Sequence, residues 1–232
     1  RRAIVKERPR QAVITSVLMP DVPPGYLLVQ TQYVALNPAG WADIDGEEYI
    51  GCVIGLDYAG TVVQVGEQVN REFKIGDRVA GISHGCNILH PNYGAFSEYI
   101  IVKADARMKV PETMNLEKAA SMGVGVITAN MGLYRQLGPP LPGPENVFSN
   151  KPEGSSATGS LAIQFAKLSK FKVVTTCSPR NFDLVRDMGA DVWFDYVCSC
   201  LEKIWKFLSL IPMSIVIRHF AFALRLGIVV AA

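Results

Sequence analysis

A short glycine-containing turn offers the clearest chemistry in the sequence. It reads Gly154-Ser-Ser-Ala-Thr-Gly159, after the short apolar segment Val147-Phe148 and before a helical pattern over Ser160–Lys170. Such a turn lets the backbone approach a pyrophosphate, and the helix N-terminus beyond it favours negative charge. Because a further strand, KVVTT (172–176), follows the helix, the turn predicts a dinucleotide site. The alternative is a plain βα turn whose small residues allow close packing.

The residues after that further strand indicate which dinucleotide is bound. NAD-binding folds usually place an acidic residue about 20 residues after the first glycine, where it binds the ribose 2′-hydroxyl. No Asp or Glu occurs between Gly154 and Phe182, and the segment instead ends Thr176-Cys-Ser-Pro-Arg-Asn181. Since an arginine can donate bidentately to a phosphate, the segment favours NADP(H) over NAD(H). The alternative is that Arg180 is a solvated helix residue.

Metal and thiol chemistry are less well supported. His84, Cys86 and His90 lie in one loop, but a zinc site there would need a fourth ligand or an open position. We therefore expect a polar loop without metal. The five cysteines are odd in number and scattered, and no two form a CxxC pair, so they are not a disulfide framework. This pattern predicts a reduced, intracellular compartment, which we take to be the cytoplasm.

Composition narrows the class of protein further. The chain has 232 residues, a net charge of +2 and 49% hydrophobic residues, which excludes extensive disorder and gives no electrostatic footprint for nucleic acid. Residues 204–232 are very apolar and contain no acidic residue. Lysine, arginine, histidine and proline interrupt this segment, so it is not a continuous membrane span. A tether to the membrane through this segment stays an alternative.

The predicted secondary structure differs between the two halves of the chain. Short β-type runs separated by turns predict an antiparallel barrel or sandwich in the first half. These runs are 12–18, 26–33, 58–66, 77–82 and 95–102. A helix is predicted over Asn115–Leu137, with Asn115 as its N-cap. The second half predicts strand, helix and strand, then a helix that begins at Pro179 and ends at Gly189, and a strand over 192–196. That order is half of a doubly wound parallel sheet.

Three phrases in the first half carry a family resemblance. They are Gly55-Leu-Asp-Tyr-Ala-Gly60, Phe73-Lys-Ile-Gly-Asp-Arg-Val79 and Gly94-Ala-Phe-Ser-Glu-Tyr99. With these the chain resembles the medium-chain dehydrogenase/reductase superfamily. The family's zinc-binding His-Glu pair is Leu56-Asp57 here, and its first zinc-binding cysteine is missing near Ala35-Leu-Asn-Pro38. The resemblance therefore implies the zinc-free branch of enoyl and quinone reductases, without catalytic zinc.

Further phrases resemble the fungal trans-acting enoyl reductases of polyketide biosynthesis. They include ALNPAGW (35–41), GVGVITA (123–129), TTCSPRNFDLV (175–185) and GADVWFDY (189–196). The implied fold class is α/β with a β-rich part. A GroES-like β-barrel domain over 1–116 precedes a partial NADP-binding Rossmann domain over 117–200, and an atypical apolar tail occupies 201–232. Because the resemblance stops after Tyr196, the chain is expected to be C-terminally truncated relative to the family.

The resemblance also implies site residues. Those implied to bind the cofactor are Ala39, Gly40, Trp41 and Ala42 near the nicotinamide, Ser155, Ser156, Ala157 and Thr158 at the pyrophosphate, Ser178, Pro179, Arg180 and Asn181 at the 2′-phosphate, and Tyr196 near the adenosine. Those implied to line the acyl pocket are Gly125, Val126, Ile127, Thr128, Ala129 and Asn130, with Thr128 also touching the nicotinamide. No residue stands out as a catalytic acid.

The implied activity is NADPH-dependent reduction of an α,β-unsaturated acyl thioester. The implied partners are the acyl chain tethered to a carrier domain and the polyketide synthase that needs the reductase. Two alternatives remain. One is a non-catalytic remnant or nucleotide-binding fragment, and the other is a zinc-free quinone reductase, since the same scaffold serves both reactions.

Overall fold

The computed structural model describes residues 1–137, 157–195 and 228–231. The chain divides into two units, Arg1–Val124 and Gly125–Ala232, and each is described by itself. The predicted domain limits at 116 and 200 stay predictions.

An antiparallel sheet forms the centre of the first unit. Its strands are β3 (Tyr26–Ala35), β4 (Asp57–Val65), β5 (Arg78–Ile82), β6 (Tyr99–Lys103) and β7 (Met108–Lys109). They are hydrogen-bonded in the order β6-β3-β4-β5-β7. One core cluster of this unit is made of alternate apolar residues, including Leu27, Val29, Tyr58, Val62 and Val79, all without exposed surface. Four of the five strands predicted in the first half are therefore confirmed to within about four residues at each end: 26–33, 58–66, 77–82 and 95–102.

A separate two-stranded hairpin opens the chain. It pairs β1 (Arg2–Arg8) with β2 (Gln11–Ser16), the second of which matches the predicted 12–18 run. The first strand was not predicted. A short helix, α1 (Pro38–Asp45), follows β3 and was not predicted either.

The predicted helix over Asn115–Leu137 is wrong as a single element. The structure has α2 (Leu116–Ala120), α3 (Gly123–Asn130) and a π-helical segment, Met131–Leu137. Asn115 is confirmed as the N-cap of α2, because its side chain accepts the N–H of Glu117 at 2.9 Å. Gly123, the first residue of α3, lies in a close contact. A Cβ at Gly123 would overlap the Asp57 carboxylate and the Gly81 carbonyl, so the chain can pass there only as glycine.

The second unit packs helices on a small sheet. Its elements are α4 (Ala157–Leu168), β8 (Lys172–Cys177), α5 (Phe182–Asp187), β9 (Val192–Asp195) and β10 (Ile228–Ala231). Strands β8 and β9 pair in parallel, as the doubly wound pattern predicts. The predicted first strand at Val147-Phe148 lies outside the described residues.

Two details of this unit differ from the predictions. The segment Pro179–Asn181 is a 3-10 turn, and the α-helix begins only at Phe182. Gly189 is confirmed as the residue beyond the helix end, with a φ of +102° that favours glycine. Part of the predicted tail, Ile228–Ala231, pairs antiparallel with β8, which was not predicted.

Among the residues that the structure describes, no helix is long and apolar enough to cross a membrane.

Candidate functional site

The helix α1 carries the residues predicted to lie near the nicotinamide. Ala39, Gly40, Trp41 and Ala42 all belong to it, and Pro38 opens its first turn. The fixed φ of proline suits this position, because no intrahelical N–H bond is needed there. Trp41 is 66% exposed, so its indole is available to a ligand.

The residue before α1 is bonded to a buried carboxylate. Asn37 Nδ2 donates to Asp57 Oδ2 at 3.0 Å, and the backbone N–H of Val124 donates to Asp57 Oδ1 at 2.7 Å. Asp57 is the first residue of β4 and is only 2% exposed. One carboxylate therefore fixes the entry to α1 and the first turn of α3. Both bonds lie within the first unit.

Burial and hydrogen bonding act in opposite directions on this carboxylate. Burial raises the pKa of Asp57, because a low-dielectric surrounding penalises the charged form, and the bonds from Asn37 and Val124 offset only part of that rise. The negative charge also faces the first turn of α3, where the helix dipole favours an anion. Asp57 was considered in the sequence only as a replacement for a zinc ligand, and its bonding partners were missed.

The residues predicted to line an acyl pocket lie on α3. Of Gly125–Asn130, Gly125 and Ala129 are buried and the other four are half-buried. Ala129 belongs to the hydrophobic core of the second unit. The side chain of Asn130 donates to its own helix at Val126 O, at 2.8 Å. The assignment of these residues to substrate binding stays a prediction.

The structure describes only some of the residues predicted to bind the pyrophosphate and the adenosine. Ser155, Ser156 and Tyr196 lie outside the described residues, and of Ala157 only the backbone is described. Ala157 opens α4, and Thr158 lies half-buried in its first turn. The positive end of the dipole of this helix lies at its start, which suits a phosphate.

The predicted 2′-phosphate residues follow directly after β8. Pro179 and Arg180 are exposed, whereas Ser178 and Asn181 are half-buried. Asn181 Nδ2 donates to Ser178 Oγ at 3.1 Å, which fixes the turn. Within the described ranges Arg180 has no carboxylate partner, whereas Arg186 of α5 pairs with Asp183 at 2.9 Å. The Arg180 guanidinium is thus accessible to an anion.

The loop with His84, Cys86 and His90 has ordinary packing roles. His90 stacks on Tyr93, with 4.5 Å between ring centroids. Cys86 is buried, and burial is the main cause that raises its pKa to about 11, so the thiol is not a ready metal ligand. No group of three or more potential metal ligands occurs in residues 1–137, 157–195 and 228–231. The absence of zinc remains an expectation.

The comparisons with known proteins agree with this architecture. Residues 23–112 match the model of the alcohol dehydrogenase GroES-like domain. An alcohol dehydrogenase superfamily protein from Novosphingobium aromaticivorans superimposes with a TM-score of 0.74 at 25% identity, covering 90% of this chain and 62% of that one. The GroES-like match and this structural likeness define a member of the medium-chain dehydrogenase/reductase superfamily, which confirms the predicted α/β fold with a GroES-like part.

Curated relatives narrow the family. The trans-enoyl reductase TOXD of Cochliobolus carbonum is 45% identical over 199 residues, which is 84% of this chain and 67% of that protein. The trans-enoyl reductase resD of Aspergillus sclerotiorum is 43% identical over 210 residues, 84% of this chain and 59% of that protein. The chain belongs to the fungal trans-enoyl reductase family, as its motifs predicted. It spans about three fifths to two thirds of the length of these relatives.

Proposed function

We propose that this protein is an NADPH-dependent enoyl reductase that acts in trans during polyketide biosynthesis. Its substrate would be an α,β-unsaturated acyl thioester on a carrier domain of a partner synthase. The observation that carries the proposal is the 45% identity to a named trans-enoyl reductase over 84% of the chain. The trans designation of the relatives supports a synthase as partner.

The residues that follow β8 support NADPH as the proposed cofactor. Arg180 is exposed and has no acidic partner in the described part of the chain, and Ser178, two residues earlier, adds a hydroxyl. These groups fit a 2′-phosphate, since a guanidinium donates bidentately to phosphate oxygens. The same position lacks the acidic residue that would suit an unmodified ribose. NADPH is therefore the proposed cofactor.

Each site segment then has a proposed role. Ser155–Thr158 would hold the pyrophosphate, Ser178–Asn181 the 2′-phosphate and Tyr196 the adenosine side. Ala39–Ala42 and Thr128 would contact the nicotinamide, and Gly125–Asn130 would line the acyl pocket. These segments work by holding reactants in position, which alone can supply several kcal/mol of barrier reduction.

The reaction itself asks little of the side chains. When held by Ala39–Ala42 and Thr128 at its nicotinamide, NADPH would supply the hydride that the β-carbon takes up. The alkene π electrons of the substrate would then move toward the thioester oxygen. Backbone or side-chain N–H donors would stabilise that enolate oxygen. Water then delivers a proton to the α-carbon and the saturated thioester is released. In this scheme no side chain has to act as an indispensable acid.

The proposal is tested with the purified 232-residue chain, by titrating NADPH and NADH and following fluorescence. Tight binding of NADPH with weak binding of NADH supports the cofactor assignment. Reduction of crotonyl and longer enoyl thioesters then supports the enzyme class. Turnover of quinones without turnover of enoyl thioesters would assign the chain to the quinone reductases. A folded chain that binds neither dinucleotide would be a non-catalytic member of the family.

A further inference from the structure

The helix α1 is not held in place by apolar packing. None of its eight residues is buried, and its sequence PAGWADID presents no apolar stripe. A helix of a globular protein usually owes its position to a buried apolar face. The position of α1 must therefore depend on polar contacts at its ends.

The C-terminal end of α1 is tied to the first hairpin. Lys6 Nζ donates to the backbone carbonyl of Gly46 at 2.8 Å and also to the carbonyls of Asp43 and Glu48. The carbonyl of Ile44 accepts the backbone N–H of Arg10 at 2.9 Å. The last carbonyls of a helix have no intrahelical partner, so β1 and the turn after it supply the missing donors.

Lys6 itself is an unusual residue for this role. It has no exposed surface, and no carboxylate pairs with it in the part of the chain that the structure describes. Its three N–H donors match three carbonyl acceptors, and the negative end of the α1 dipole favours a cation there. Its backbone is fixed as well, since Lys6 N–H donates to Cys52 O at 3.0 Å and Gly51 N–H donates to Lys6 O at 2.8 Å.

The N-terminal end of α1 is tied separately. Asn37 makes no capping bond to α1, and its side chain reaches Asp57 instead. The Asp57 carboxylate thus fixes the residue before the N-terminal end of α1, and the Lys6 ammonium bonds carbonyls at its C-terminal end. Lys6 bonds the Asp43 carbonyl of α1, the C-cap carbonyl of Gly46 and the Glu48 carbonyl just beyond it, whereas the Asp57 carboxylate bonds only the residue before the helix at this end.

We propose that Lys6 is a positioning residue that sets the location of the cofactor helix α1 through three backbone carbonyls. This inference rests on the proposed function, because α1 carries Ala39–Ala42, the residues proposed to contact the nicotinamide. Loss of the ammonium lets α1 shift relative to the sheet of its own unit. The dinucleotide still binds through its phosphate contacts, but the hydride donor is no longer held at the reacting distance.

The test compares Lys6→Met with Arg8→Met. Both variants remove one cation from β1, but Arg8 is exposed and its guanidinium bonds only to Gln11 among the described residues. The readout is the single-turnover rate constant for oxidation of bound NADPH by an enoyl thioester, which does not depend on the fraction of folded protein. A displacement of α1 by about 1 Å should slow this step about 10- to 100-fold. The Kd for NADPH should change less than about threefold, and Arg8→Met should match wild type.

A second readout follows the helix directly. Protein labelled with 5-fluorotryptophan carries three fluorine labels, at Trp41 of α1, at Trp193 of β9 and at Trp205. Their resonances are assigned with the three single Trp→Phe variants. Lys6→Met should shift or broaden the Trp41 resonance and leave the Trp193 resonance unchanged. Lys6→Gln, whose amide still donates two hydrogen bonds, serves if Lys6→Met does not fold.

The outcomes separate this inference from the proposed function. An unchanged single-turnover rate in the folded variant overturns the positioning role, whether or not Trp41 responds. A slower rate with an unchanged Trp41 resonance overturns it too, because α1 has then not moved. If neither variant folds, Lys6 is a stability residue and the inference is wrong. If wild type binds no NADPH, the proposed function fails, while the Trp41 resonance still tests whether Lys6 holds α1.

Discussion

Asp57 Oδ1 accepts the backbone N–H of Val124 at 2.7 Å, across 67 residues of sequence. The bond joins the start of β4 to the first turn of α3, and the other oxygen of the same carboxylate holds Asn37 in front of α1. Asp57 therefore bonds next to α1 and at the first turn of α3, two segments proposed to bind ligands, and a change at that group should disturb both bonds.

The first prediction concerns the hydrogen-bonding capacity of Asp57. Asp57→Ala removes both acceptors and leaves the N–H of half-buried Val124 without this partner, so it should lower the free energy of unfolding by about 1–3 kcal/mol. Asp57→Asn keeps an acceptor for Val124, and a rotated Asn37 amide can accept from its new NH2 group. It should cost less than about 1 kcal/mol. Chemical denaturation measures both, and equal losses would mean that the acceptor role is unimportant.

The second prediction concerns pH. Because the folded-state pKa of Asp57 is raised by burial, the protonated form is favoured in the folded protein. That contribution is complete below the unfolded-state pKa, about 3.9, and is lost as pH rises through the folded pKa. The stability of wild type relative to Asp57→Asn should therefore fall between pH 4 and neutrality. A difference that rises over this interval would show that hydrogen bonds outweigh burial.

The third prediction uses two helical glycines with opposite surroundings. A Cβ at Gly123 would overlap Asp57 and the Gly81 carbonyl, whereas nothing lies within 4 Å of a Cβ at Gly40. Gly123→Ala should destabilise the protein by about 1–3 kcal/mol through overpacking. Gly40→Ala in α1 should be neutral or should stabilise by about 0.5–1 kcal/mol, because alanine favours the helix. Thermal unfolding distinguishes them, and comparable losses in both variants would contradict the packing at Gly123.

The fourth prediction concerns the choice of cofactor. Arg180→Gln should weaken NADPH binding about tenfold or more, since a charge-assisted hydrogen bond is worth about 1.5–3 kcal/mol. NADH binding should hardly change, because NADH lacks the 2′-phosphate. Arg186→Gln is the control, as Arg186 lies nearby in sequence and is already paired with Asp183. Parallel losses for NADPH and NADH would remove Arg180 from the proposed phosphate site.

Much of the framework follows from local sequence signals. The strands β3, β4, β5 and β8 have dense β-branched or aromatic residues between turn residues, and the structure places them close to where those signals lie. Gly189 ends its helix in the left-handed conformation because glycine adopts it without a Cβ penalty. Asn115 caps α2 for an equally local reason.

The missed features depend on contacts that are distant in sequence. The first strand contains three arginines and lysines in seven residues, which conceals a β pattern, and the ammonium of buried Lys6 is bonded by carbonyls distant in sequence, at the end of α1 and just beyond it. Helix α1 has no apolar stripe by which to recognise it. Gly123 lies in close approach to Asp57 and Gly81, a contact that no local pattern encodes. The functional roles of these residues come from the family resemblance.

Reduction of enoyl thioesters with NADPH is the activity at the centre of the proposed function. The most direct measurement mixes the purified chain with NADPH and a crotonyl thioester, follows the absorbance of NADPH and identifies the product by mass spectrometry. We expect a saturated thioester, two hydrogens heavier, formed in equal amount to the NADPH oxidised, with NADH much less effective. Folded protein that binds NADPH but leaves the thioester unreduced, at every chain length offered, would contradict the proposed function.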